Sequence, residues 1–213
     1  MRFSTHFKAA TFGSALLLAS ASASAVSVTD VSDSDGLTTN FDITANVVNT
    51  VGSTTTIDLG LNGFSALAPQ TTPALPFDVA FDTMQLTITA DAGTLITSLD
   101  LSEVFDIATG ANSFATLDAS IAVAGFGTKG FNVLYMPGSN VTSENHPIDP
   151  DFVFAGGVEQ IIVTVTNSIS AFSGTGQVAS IIKQDSTLTV TTAPIPLPEP
   201  VLLPGSADAG MDM

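Results

Sequence analysis

Apolar and polar residues alternate one for one along most of this chain. That spacing puts the two kinds on opposite sides of a strand and gathers neither on one side of a helix. In "LTTNFDITANVV" Phe41, Ile43, Ala45 and Val47 share one face, and Asn40, Asp42, Thr44 and Asn46 share the other. "TTIDLGLNGF" repeats the pattern with Ile57, Leu59 and Leu61, "FDVAF" with Phe77, Val79 and Phe81, and "MQLTITAD" with Met84, Leu86, Ile88 and Ala90. Odd positions give way to even ones between Phe81 and Met84, which predicts a bulge or tight bend at Asp82–Thr83. "ATLDASIAVAG", "GFNVLYM", "EQIIVTVTN" and "DSTLTVTT" read as further strands. Turn residues separate them, at Gly52, Asp91–Gly93, Gly110–Asn112, Pro137–Gly138, Gly156–Gly157 and Gly174–Gly176. The best helical candidate, "ITSLDLSEVFDIA", fits alternation about as well, through Leu99, Leu101, Phe105 and Ile107. Short strands at regular spacing, half apolar and half Thr, Asp or Asn, predict an all-β fold. The expected form is a single-domain antiparallel β-sandwich, jelly-roll or immunoglobulin-like in kind.

Residues 1–25 read as a secretory signal peptide. Arg2 and Lys8 open it, an apolar run centred on Leu16–Leu18 follows, and "ASASA" supplies small residues for a cut after Ala25. The run is too short and too rich in Ser for a membrane span of ~20 apolar residues. Losing Arg2 and Lys8 leaves Lys129 and Lys183 against 20 acids, a net charge of −18. Such a surface repels nucleic acid and anionic membrane, and it suits solubility and loose cation binding. The chain has no Cys, so a sandwich spanning residues 26–192 must hold without disulfides although the compartment permits them.

Two Pro-rich stretches break the alternation. "SALAPQTTPALPF" and "MPGSNVTSENHPIDPDF" each predict an edge crossover or a loop over one end of the sandwich, with a binding loop as the functional alternative. The second gathers Glu144, His146, Asp149 and Asp151. Glu144, Asp149 and Asp151 form one candidate calcium site, because hard cations want several oxygen ligands. Asp30, Asp33 and Asp35 of "DVSDSDG" form another. That run resembles part of an Asp-rich calcium loop, with Val31 in place of the first Asp and no Glu at the twelfth position. Calcium is the one cofactor the composition suggests.

Catalytic signatures fail on inspection. "GFGTKG" and "GTGQVA" match glycine-rich dinucleotide spacing at Gly125, Gly127 and Gly130 and at Gly174, Gly176 and Ala179. A strand follows the first where a helix is required, so both read as turns. "GFSAL" has Leu67 where a serine elbow needs Gly. His146 is the one histidine beyond the leader and reads as a solvated loop residue. A zinc site with several His or Cys ligands is excluded by count. With no Trp and one Tyr, sugar-stacking platforms are poorly supplied. Recurrent Thr-x-Thr pairs suit the wet face of a strand.

The chain closes on "TTAPIPLPEPVLLPGSADAGMDM". Residues 193–213 are expected to be a Pro-rich, disordered tail, its alternate prolines favouring an extended spacer. The tripeptide Pro198-Glu199-Pro200 resembles the C-terminal sorting region of bacterial PEP-CTERM proteins, the exosortase substrates. The likeness extends to the plan of signal peptide, Cys-free Thr/Gly-rich β domain and Pro-rich spacer. It implies export to the cell surface. The family's transmembrane helix and basic cluster have no counterpart, since only Val201, Leu202 and Leu203 precede Pro204. The expected tail is therefore a spacer without a working anchor.

These features predict a secreted, non-catalytic β-sandwich of the bacterial cell surface or extracellular matrix, structural or adhesive in role. Its expected partners are its own copies or a matrix polysaccharide or protein, with no nucleic acid and no stable membrane span. One alternative is a filament or pilin-like subunit that accepts "VSVTDV" or "STLTVTT" from a neighbour by strand addition. Another is a secreted hydrolase using Asp/Glu or His146 with a serine.

Overall fold

The computed structural model describes residues 26–33, 48–59, 64–69, 76–148 and 151–196. Residues 1–25, expected to be a signal peptide, the run from Phe41 to Val47, Leu61 and the Pro198-Glu199-Pro200 motif lie outside them. Twelve strands are described: β1 (Val26–Asp33), β2 (Val48–Val51), β3 (Thr54–Asp58), β4 (Ser65–Ala68), β5 (Phe77–Ala90) and β6 (Thr94–Thr109), then β7 (Phe114–Val123), β8 (Gly127–Tyr135), β9 (Asn140–Pro147), β10 (Phe152–Val158), β11 (Gln160–Phe172) and β12 (Ala179–Pro194). The predicted all-β sandwich is the fold. One antiparallel sheet runs β1-β5-β11-β7-β8. In the other, β6 and β12 are long central partners. β9 and β10 share the outer edge of β6, while β3 and β4 share the outer edge of β12, with β2 beyond β3.

The chain changes sheet at most connections, so each strand's inner face is completed by residues distant in sequence. The alternation of β6 buries Leu99, Leu101, Phe105 and Ile107, which settles "ITSLDLSEVFDIA" as a strand. The glycines of "GFGTKG" make a hairpin, as expected. Gly125 and Gly127 turn β7 into β8 at φ +81° and +100°, and a Cβ on Gly130 would collide with the Ala119 carbonyl.

Three sequence expectations are corrected. β5 pairs with β11 in unbroken register from Phe77 to Thr89, so no bulge stands at Asp82–Thr83. Instead Phe77, Val79 and Phe81 face outward and Asp82 faces the interior. The predicted loop around His146 contains a strand: β9 pairs with β6, and its irregularity at Ser143 (φ +55°) is satisfied by a bond from the Ser143 N–H to Asp106 Oδ1 at 2.7 Å. β12 also runs two residues past the expected boundary, to Pro194. A proline is tolerated at a strand end, where its missing N–H is not needed, and the Ile195 N–H bonds to Gly93 O at 2.9 Å.

A polar layer divides the core. Asp82, Glu103, Asn167, Lys183 and Ser186 are all buried. Each occupies a slot where alternation would place an apolar side chain. Asp82 lies directly opposite Asn167 in one sheet, and Glu103 opposite Ser186 in the other. A register shift between Lys183 and Asp185 lets β12 turn both Lys183 and Ser186 inward. On one side of this layer lies an apolar cluster around Met84, Leu101, Val165 and Leu188. On the other lies a cluster around Phe105, Leu117, Ile169 and Ile181.

Candidate functional site

The outer face of the β1-containing sheet carries apolar side chains where water-facing positions usually hold polar ones. Phe77, Val79 and Phe81 project from β5, and Phe77 is 65% exposed. Register places Phe77, Phe172 and Phe114 in one row across β5, β11 and β7. The Phe114 and Phe172 rings stack with centroids 4.7 Å apart. The next row is Val79, Ser170 and Thr116, with exposed Leu134 of β8 opposite Thr116. Neighbouring rings hold one another in place here, and apolar surface concentrated in this way is characteristic of contact faces.

The two sheets are tied along the edge where β8 faces β9 and β10. Tyr135 donates its hydroxyl to Glu144 Oε2 at 2.9 Å and lies 2.7 Å from His146 Nε2. Burial and the neighbouring Glu144 carboxylate push the Tyr135 phenol well above its ordinary range. His146 also stacks on Phe131 at 5.0 Å. It is therefore no solvated loop residue: its side chain is 14% exposed and packed among aromatic rings, and the hydroxyl it meets is a tyrosine's rather than a serine's. Further along the edge, Lys129 donates to the Asp151 carbonyl at 2.7 Å and lies 4.6 Å over the Phe152 ring.

Two ligands of the second candidate calcium site, Glu144 and Asp151, stand apart. Glu144 is opposite Phe105 on β6 and serves the tyrosine. Asp151 precedes Phe152, which pairs with Leu99, so Asp151 sits beside Asp100. The two positions are about 16 Å apart along β6 at ~3.3 Å per residue. Burial, then the charge of Asp151, raises the Asp100 carboxyl above its ordinary value. The side chains of Asp30 and Asp33, on β1, and the residues Asp35 and Asp149 lie outside the described residues. Among the described residues no group of three or more His, Asp or Glu is placed to hold a metal. No described helix is long and apolar enough to cross a membrane.

The interior polar layer was not singled out from sequence. Lys183 Nζ lies 2.6 Å from Glu103 Oε1, with both side chains fully buried. Asn167 Nδ2 donates to the same oxygen at 3.1 Å and the Ser186 hydroxyl at 3.2 Å. Burial pushes the Lys183 ammonium toward the neutral amine, while Glu103 and then Asp82 act against that shift. Its sequence signal was available: a Glu, an Asn and a Lys each standing in an otherwise apolar alternation. A shallow cleft of about 460 Å³ opens at one end of β6, lined by Thr109, Gly110, Ser139, Asn140 and Gln177.

No family model matches the chain, and no curated protein matches it. Among solved structures it is similar to a chain of infectious bursal disease virus, Gt strain, at 16% identity and a TM-score of 0.32, covering 68% of this chain and 35% of that one. It is also similar to TmCBM61 in complex with beta-1,4-galactotriose, at 11% identity and a TM-score of 0.23, covering 60% of this chain and 84% of that one. This chain thus spans about a third of the viral chain it matches.

Proposed function

We propose that this is an exported, non-catalytic protein of the bacterial cell surface or extracellular matrix, acting by contact. The supporting observation is the outward apolar row of β5, Phe77, Val79 and Phe81, flanked by the stacked Phe114–Phe172 pair. An acidic chain gains nothing in solubility from such a face, so the face is explained by what it touches. The leader pattern, the −18 charge and the Pro-Glu-Pro resemblance agree with work outside the cytoplasm. Against the hydrolase alternative stands the contact of His146 with the Tyr135 hydroxyl. The filament alternative loses one donor, because Ser186–Thr192 lies within central strand β12, paired with β6 and partly with β3.

The test is sedimentation of purified protein with producing cells and their matrix, and by itself in analytical ultracentrifugation. Wild type should associate, and a Phe77→Ser/Phe81→Ser variant should lose most of that association while keeping its fold. Protein that remains monomeric and unbound in both settings, with or without calcium, disproves the proposal.

A further inference from the structure

The polar layer brings an amine, a carboxamide and a carboxylate into one water-excluded place. Lys183 Nζ and Asn167 Nδ2 both bond to Glu103 Oε1, at 2.6 Å and 3.1 Å. The two nitrogens are therefore no farther apart than those distances combined. Asn167 Oδ1 and Glu103 Oε2 are buried without a hydrogen-bond partner among the described residues. The amine and the carboxamide belong to successive strands in opposite sheets, β11 and β12. A plain ion pair is a poor use of such a site. Removing charges from water is expensive, and a buried pair often does no better than apolar side chains of the same size.

We propose that Lys183 and Asn167 join through a self-catalysed amide bond that bolts the two sheets together, with Glu103 carrying the protons. Glu103 takes a proton from the Lys183 ammonium. The freed amine attacks Asn167 Cγ, a C–N bond forms, and the carbonyl electron pair moves onto Oδ1. The carboxylic acid of Glu103 then protonates Nδ2, the pair on Oδ1 re-forms the carbonyl, and the Cγ–Nδ2 bond breaks. Ammonia leaves, and the amine's next proton passes to Glu103. Of the three ammonium protons of Lys183, one stays on the new amide, one departs in ammonia, and one rests on Glu103. No oxidant or cofactor is required. Exclusion of water favours the neutral product and shields the acyl centre from hydrolysis. Both reactants are preset in the fold, which replaces a bimolecular step by an intramolecular one.

Tryptic mapping of the full, denatured chain reads the bond directly, because Lys129 and Lys183 are its only cleavage points beyond Lys8. Acylated Lys183 is not cut. The expected product is one fragment that starts at Gly130, runs past Lys183 uncut, and is lighter than its sequence by one ammonia. Glu103→Gln, folded by circular dichroism, should instead be cut after Lys183, giving Gly130–Lys183 at its sequence mass. Two outcomes overturn the proposal. One is wild-type protein yielding Gly130–Lys183 unmodified. The other is a fragment joined to Asp82 or Glu103 with loss of water, which places the bond on a carboxylate. A Glu103→Gln chain that is still cross-linked removes Glu103 from the reaction.

Discussion

Tyr135 and Asp100 illustrate how single side chains set the balance at the sheet edge. Tyr135 supplies both polar contacts that join β8 to Glu144 and His146 of β9. Tyr135→Phe leaves those groups half-buried without their partner and should cost about 1–3 kcal/mol. At ~2–4 °C per kcal/mol for a domain of this size, calorimetry will register the loss as a lowered Tm. Asp100 works in the opposite sense. Its folded carboxyl titrates above the ordinary 3.8, chiefly through burial and then through Asp151. The folded state therefore binds the proton more tightly than the unfolded chain does. The resulting stability is complete below about pH 3.8 and is lost as pH rises through the raised value. Asp100→Asn imitates the protonated form. It should be more stable than wild type at pH 7, by less than about 1 kcal/mol because solvent screens the pair. Urea melts should show the gap closing as pH falls below 4. None of this was legible from sequence. Tyr135 stood out only as the one tyrosine, without a partner to name, and Asp100 looked like one acid in a chain that has 16 Asp.

At the scale of the strand, β5 shows the reach and the limit of periodicity. Its alternation is regular from end to end, but the apolar residues change sides at Asp82. Read as a rule that apolar means inside, the sequence calls for a bulge. The strand instead stays regular and turns Phe77, Val79 and Phe81 to solvent, because Asp82 is held inside beside the Lys183–Glu103 pair. The two halves should respond differently to substitution. Met84→Ala empties an interior site and should cost about 2–5 kcal/mol. Phe81→Ser removes an outward ring and should change stability by no more than ~0.5 kcal/mol. Chemical denaturation of both variants checks the contrast, and equal losses would mean that Phe81 is part of a packed interior. β9 fails for a related reason. Pro147, Asn145 and Ser143 read as loop chemistry, whereas pairing with the edge of β6 and the hydrogen bond from Ser143 to Asp106 keep the segment extended.

For the molecule as a whole, charge and sheet-crossing connectivity dominate. Only two strong bases lie beyond residue 25: Lys129 connects the sheets through Asp151 and Phe152, and Lys183 pairs with Glu103 on the neighbouring strand of its own sheet. The other charged side chains are acids, and like charges repel. Raising salt from about 10 mM to 0.5 M shrinks the screening length from ~30 Å to a few Å and should raise the Tm of the chain that begins at Val26. A Tm that falls with salt would mean that favourable ion pairs outweigh the repulsion. The sequence alone determined that the chain is an all-β sandwich, because a two-residue period is a local property that no helix can use; the length of β5, β6, β11 and β12, 13–16 residues each, exceeds the short strands expected. It also located most turns, where Gly, Pro and Asp relieve backbone constraints that other residues cannot. Which apolar face turns inward, and which polar residues share the interior, only the tertiary structure decided. Those outcomes depend on partners that can lie more than a hundred residues away, as Ile57 and Leu188 do, brought together when successive strands cross between sheets.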